Sequence, residues 1–129
     1  NAHIPESYVE SLTLRLDVYR RIADIRNKED SLDVKDELKD RFGEIPESVL
    51  GLIDIALIRN CANAMGIYEI RQTDTNVLLF VKEIKSPKVI ELLSRLNGRA
   101  MLSAGNKPYI TIRCGGGSSL DMLKKVFKI

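Results

Sequence analysis

Apolar residues recur at helical spacing in the first half of the chain and alternate with polar ones in the second. In "LRLDVYRRIADI" (residues 14–25) Val18, Ile22 and Ile25 form one stripe flanked by Arg15, Tyr19 and Arg26, which predicts a first helix. The polar run "NKED" breaks it. A second helix is expected through Phe42, capped by Asp30 or Ser31, with Gly43 in the left-handed position just after its end. Pro46 suits the first turn of a third helix running to about Met65 and closed by Gly66. That helix is apolar nearly all round, from Val49 and Leu50 to Ala62 and Met65, which predicts a central place in the molecule.

Beyond Gly66 the period changes. "IYEIRQ" and "NVLLFVK" flank "TDT", and "AMLS" and "YITIRC" flank "AGNKP", so two hairpins are predicted. Each is followed by a helix, the first starting at Ser86-Pro87 and the second being "LDMLKKVFK". The expected fold class is α+β: N-terminal helices packed on a small antiparallel sheet built from two ββα units. "SYVESL" near the start is expected to add an edge strand. No linker marks a second domain, so residues 3–129 read as a single one. Asn1-Ala2, without Met, reads as a scar of tag removal on a domain excised from a longer cytoplasmic protein.

Composition narrows the chemistry. Apolar residues make up 44% and charged residues 29% of the 129, aromatics only 5%, and Trp is absent, so the core is aliphatic. No apolar run approaches the ~20 residues of a membrane span. The two cysteines, Cys61 and Cys114, lie far apart in apolar segments and read as buried free thiols, since a domain of this size needs no staple. The single histidine, His3, removes imidazole triads and most metal sites. Nothing pairs a nucleophile with a base. The expectation is a non-enzymatic, monomeric domain with no cofactor and no metal.

Charge is divided between the halves. Residues 1–64 hold 9 Lys/Arg and 13 Asp/Glu, net −4, whereas residues 65–129 hold 11 and 5, net +6. Halves of opposite sign select different partners. On a helical wheel Asp33, Asp36, Glu37 and Asp40 share an arc of about 100°, with Arg41 at its border and Val34, Leu38 and Phe42 on the buried side. Lys35 and Lys39 point away. Three readings stand at this point: a solvated polar face, a docking surface for arginines, or a carboxylate cation site. The third is disfavoured because a straight helix face rarely surrounds a metal.

Two further features have bland counterparts. "CGGGSS" (114–119) lies between a strand and a helix, where backbone N–H groups can cradle an anion. It lacks the lysine of the phosphate-binding pattern, and a connection capped by Ser118 or Ser119 explains it as well. Lys124, Lys125 and Lys128 can form a weak nucleic-acid patch, but cations are favourable in any last helical turn. Aromatic residues are not interleaved with the basic ones, so no stacking platform for single strands is evident.

The segments "IPESYV", "LRLDVYRRIADI" and "DELKDRFGEIP" resemble the C-terminal domain of the bacterial transcription-repair coupling factors. The specific part lies within residues 14–46, on Arg15, Leu16, Tyr19, Arg20, Ile22, Glu37, Leu38, Asp40, Arg41, Phe42, Gly43 and Pro46. The resemblance implies a non-catalytic regulatory domain of an ATP-driven translocase. It implies intramolecular docking on an N-terminal UvrB-like module, covering the surface that otherwise receives UvrA. The family's contact carboxylates fall on Glu37 and Asp40, two of the four on the acidic arc. Asp33, Asp36 and Arg41 join them as expected partner-binding residues. The rival expectation is an accessory module that binds nucleic acid through the basic half.

Overall fold

The computed structural model describes residues 2–115 and 118–129. It forms two compact units, Asn1–Cys61 and Ala62–Ile129.

In the first unit the chain opens with a turn, not a strand. The N–H groups of Tyr8 and Val9 both donate to the Pro5 carbonyl, at 3.0 and 3.2 Å. The expected edge strand at "SYVESL" is therefore absent: those donors are spent locally, and Ile4 and Val9 are both buried across the turn. Ser11 then caps helix α1 (Leu12–Ala23), its Oγ accepting from the Leu14 N–H. Val18 and Ile22 are buried as the stripe requires, and Ile25 is buried just past the helix end.

Helix α2 (Lys28–Phe42) begins three residues earlier than an Asp30 cap would give and four earlier than a Ser31 cap. Asn27 takes an extended backbone and its Oδ1 accepts from the Asp30 N–H at 2.8 Å. "NKED" is thus a cap and a first turn, with Glu29 and Asp30 placed favourably at the positive end of the helix. Ser31 is buried and donates to the Lys28 carbonyl. Val34 and Leu38 turn inward, each burial stabilising by about 1.5–3 kcal/mol. Gly43 ends the helix at φ 89° and ψ −160°, with its N–H on the Lys39 carbonyl.

Helix α3 (Glu47–Ala64) starts one residue after Pro46, whose carbonyl accepts from Val49 and Leu50. It buries Val49, Ile53, Leu57, Ile58 and Ala62, but Ile55 is 38% exposed, so it is not enclosed all round. Asn60 on this helix donates its side-chain amide to the carbonyls of Ala23 and Ile25, satisfying the backbone where α1 ends.

The second unit is an antiparallel sheet of four strands, β1 (Ile67–Gln72), β2 (Asn76–Val81), β3 (Ala100–Ser103) and β4 (Tyr109–Arg113), in the order β1-β2-β4-β3. The two predicted hairpins join through their second strands. Helices α4 (Pro87–Arg95) and α5 (Ser119–Val126) follow the hairpins, and Ser118 caps α5. Val77, Leu79 and Ile110 are fully buried and Ile112 nearly so, which fixes one sheet face as the core side. The described residues thus give five helices and a four-stranded antiparallel sheet, an α+β fold. Residues 116 and 117 of the glycine-rich segment lie outside the described residues, so the anion-cradle reading falls there. Cys61 and Cys114 are free thiols, half-buried and not fully buried.

Nothing lies within 4 Å of a Cβ added at Gly43, so only the backbone resists a side chain there. Gly43→Ala is expected to destabilise the domain by about 1–3 kcal/mol, read from denaturant unfolding, with helical content preserved in the folded state.

Candidate functional site

The rotation of α2 decides which carboxylates face solvent. With Val34 and Leu38 buried, Asp33, Asp36 and Asp40 are exposed, and among the described residues their carboxylates form no hydrogen bond or ion pair. Neighbours in this row are three and four residues apart, about 4.5 and 6 Å along the helix axis, inside the Debye length of about 8 Å at physiological salt. Their mutual repulsion costs a few tenths of a kcal/mol per neighbouring pair. A cation brought near the row would relieve it.

Glu37 stands apart from the other three. Its Oε1 accepts from Arg21 Nη2 on α1 at 2.7 Å, and its Oε2 lies 3.5 Å from Arg41 Nη1 one turn on. The Arg41 guanidinium also covers the Phe42 ring, 5.0 Å from its centroid. The five expected contact residues therefore separate into a free aspartate row and an internally paired Glu37–Arg41 flank. Sequence reasoning placed all four carboxylates on one arc correctly but did not find the Arg21 link, which joins residues 16 apart on different helices. Of the other α1 arginines, Arg20 pairs with Asp17 at 3.4 Å, and Arg15 donates to the carbonyls of Val9 and Glu10.

Leu32 was also missed. It is 49% exposed and lies about 40° from Asp36 around the helix. Its signal in the sequence is an apolar residue off the Val34–Leu38 stripe. The acidic row thus has an apolar neighbour at its edge. Among the described residues no group of three or more His, Cys, Asp or Glu side chains is arranged to hold a metal ion.

The C-terminal end of α2 is fastened by Tyr8. Its hydroxyl donates to the carbonyls of Leu38 (3.2 Å) and Gly43 (3.0 Å), and its ring packs on Phe42 with centroids 5.7 Å apart. Burial, and secondarily the Glu44 carboxylate, push the Tyr8 hydroxyl above the ordinary tyrosine range.

The family profile of the TRCF domain matches residues 1–92. The chain belongs to the TRCF-domain family. Its similarity extends to named transcription-repair-coupling factors: 31% identity over 106 residues with that of Rickettsia prowazekii (strain Madrid E), covering 81% of this chain and 10% of the relative. With that of Bacillus subtilis (strain 168) it is 29% identical over 132 residues, covering 98% of this chain and 11% of the relative. The chain thus spans about a tenth of the length of the curated relatives it matches. A solved C-terminal domain of a transcription-repair coupling factor superposes with a TM-score of 0.81 at 20% identity, covering 98% of this chain and 82% of that one, which shows a shared fold. Glu37, Asp40, Phe42 and Gly43, among the residues that carry the sequence resemblance, stand in this fold as a paired flank, a free acid, a ring under Arg41 and a positive-φ stop.

Tyr8→Phe removes the hydroxyl that closes the end of α2 and is expected to cost about 1 kcal/mol. Because the folded state holds the Tyr8 proton more tightly than the unfolded chain, this stabilisation is complete below pH ~10 and is lost as pH rises above it. Urea unfolding followed through that range should show a steeper alkaline loss for the wild type than for Tyr8→Phe.

Proposed function

We propose that this domain is a non-catalytic regulatory part of a transcription-repair coupling translocase in the cytoplasm, and that it docks through α2 on a basic surface of the parent's own UvrB-like module. Docking there masks the surface that otherwise receives UvrA. The observation that carries the reading is the row Asp33, Asp36 and Asp40, exposed and without an internal cation on a helix whose opposite side is buried. Membership of the TRCF-domain family supports it, since the resemblance assigns contact carboxylates to this helix.

Glu37 has a different part in this mechanism from that of the aspartates. Held by Arg21 and Arg41, it fixes the flank of the acidic row and shields the row from the cations of α1 and of its own last turn. Arginines of the partner therefore meet Asp36 and Asp40 first, with Leu32 supplying apolar burial beside them. Exposed ion pairs are worth about 0–1 kcal/mol each, so several must act together. A weak contact suffices when both modules share one chain, because tethering raises the effective concentration. Weakness also lets a ligand that binds only the undocked form open it.

The test is binding of the separately purified UvrB-like module to this domain in trans, by calorimetry or biosensor. Asp36→Arg/Asp40→Arg should abolish binding with the fold intact by circular dichroism. Arg21→Gln should reduce binding by less than ~5-fold, as expected for loss of one exposed pair. Binding unchanged by the double reversal would contradict the reading.

A further inference from the structure

We propose that the open face of the β-sheet in the second unit binds single-stranded DNA by stacking bases on an aromatic cluster within a cationic border. This goes beyond the docking reading and involves the other half of the chain.

The strand register builds the surface. Glu69 pairs with Phe80, Phe80 with Tyr109 and Tyr109 with Ser103, giving one row across the sheet. Arg71, Leu78, Thr111 and Met101 form the next row, and Asn76 and Arg113 the last. These positions alternate with the core residues Val77, Leu79, Ile110 and Ile112, so they lie on the opposite face. The register shifts between Ile67 and Glu69, a bulge that inserts Tyr68. A bulge re-aims a side chain, and Tyr68 here packs beside Phe80.

The result is an aromatic cluster that the sequence, read linearly, does not announce. Phe80 stands between Tyr109, at 5.4 Å between centroids, and Tyr68, at 6.3 Å. The Arg71 guanidinium lies over the Phe80 ring at 4.9 Å, so Phe80 is only 7% exposed and acts as the floor. Tyr68, 45% exposed, and the flat Arg71 cation form the outer layer. Bases stack both on aromatic rings and on guanidinium planes.

Charge selects the ligand. This unit carries the +6 of the chain. Arg71 and Arg113 lie on the face itself, and Lys82 and Lys107 continue its alternation at the ends of β2 and before β4. Glu69 is the one acid in the rows, and Arg71 engages it at 2.6 Å. Arg113, Lys82 and Lys107 form no ion pair among the described residues. Arg113 also lines an open depression with Thr75, Asn76 and Gly115 at the edge of the last row, where a phosphate can sit. Stacking rings at one end and an unpaired cation at the other match a polynucleotide strand with splayed bases. Its duplex form hides those base faces. Beside the rings stand Leu78 and Met101, the latter 70% exposed, which suit deoxyribose better than a 2′-hydroxyl.

The experiment is fluorescence anisotropy of the 129-residue chain with labelled oligothymidylate, oligouridylate and a duplex of equal length, across a salt series. Binding of oligothymidylate ahead of both others is expected. Tyr68→Ala should weaken it about 5- to 100-fold while Tyr68→Phe retains it, since stacking needs the ring alone. Arg113→Gln should reduce the slope of log affinity against log salt by about 0.7, the loss of one phosphate contact to a single strand. Thermal unfolding of each variant confirms the fold, and Arg113→Gln tests the surface independently of the bulge. No binding of oligothymidylate by the wild type at low salt would overturn the proposal. So would wild-type affinity in both Tyr68→Ala and Arg113→Gln, or tighter binding of the RNA or the duplex.

Discussion

The burial of Val34 and Leu38 is the constraint from which the acidic surface follows. Once those two side chains are seated, the rotation of α2 is fixed, and Asp33, Asp36 and Asp40 have nowhere to point but outward. Asn27 at the start, Tyr8 at the end and Arg21 on the flank then fasten the helix at three places. None of these contacts is strong alone. Together they hold a row of like charges in register on a helix whose mutual repulsion favours spreading. A side chain fixed by packing loses less freedom on docking, so a row held this way meets a partner at a smaller entropic cost than mobile acids would.

The two units present opposite electrostatic characters. The helical unit carries −4 and the sheet unit +6; the free aspartates of the first lie along one helix face, and Arg71 and Arg113 of the second lie on one sheet face. Fields of opposite sign on separate surfaces can steer different partners. The Glu37 flank illustrates how an acid that resembles its neighbours in sequence takes a separate part. With two arginines already on it, Glu37 adds little net negative charge to the row, yet it sets the border that the row is measured from.

Much of this was legible in the sequence because it depends on local periodicity. The α1 stripe, the Gly43 stop, both hairpins and the helices after them follow from spacing and from residues with special backbone needs. The aspartate row follows from 100° per residue. Two element readings failed where a local cue competed with another. "SYVESL" has strand-like composition, but Pro5 captures the N–H groups of Tyr8 and Val9 and closes a turn. "NKED" looks like a break, but its Asn is the cap and its acids suit a first turn. The proximity of Tyr68, Phe80 and Tyr109 was not legible either, because a bulge and the β2–β4 pairing bring them together. The alternation of Leu78 and Phe80 against Tyr109 and Thr111 carried that signal, and only the strand order converts it into a surface. The Arg21–Glu37 link had no linear signal at all.

The central claim is that the free aspartates hold the parent protein in a form that does not receive UvrA. The most direct measurement is capture of UvrA by the full-length parent, wild type beside Asp36→Arg/Asp40→Arg, at equal protein concentration. The account predicts little capture by the wild type and strong capture by the variant, approaching that of the parent with this domain deleted. Equal, weak capture by wild type and variant, with strong capture only on deletion, would contradict it and move the lock away from α2.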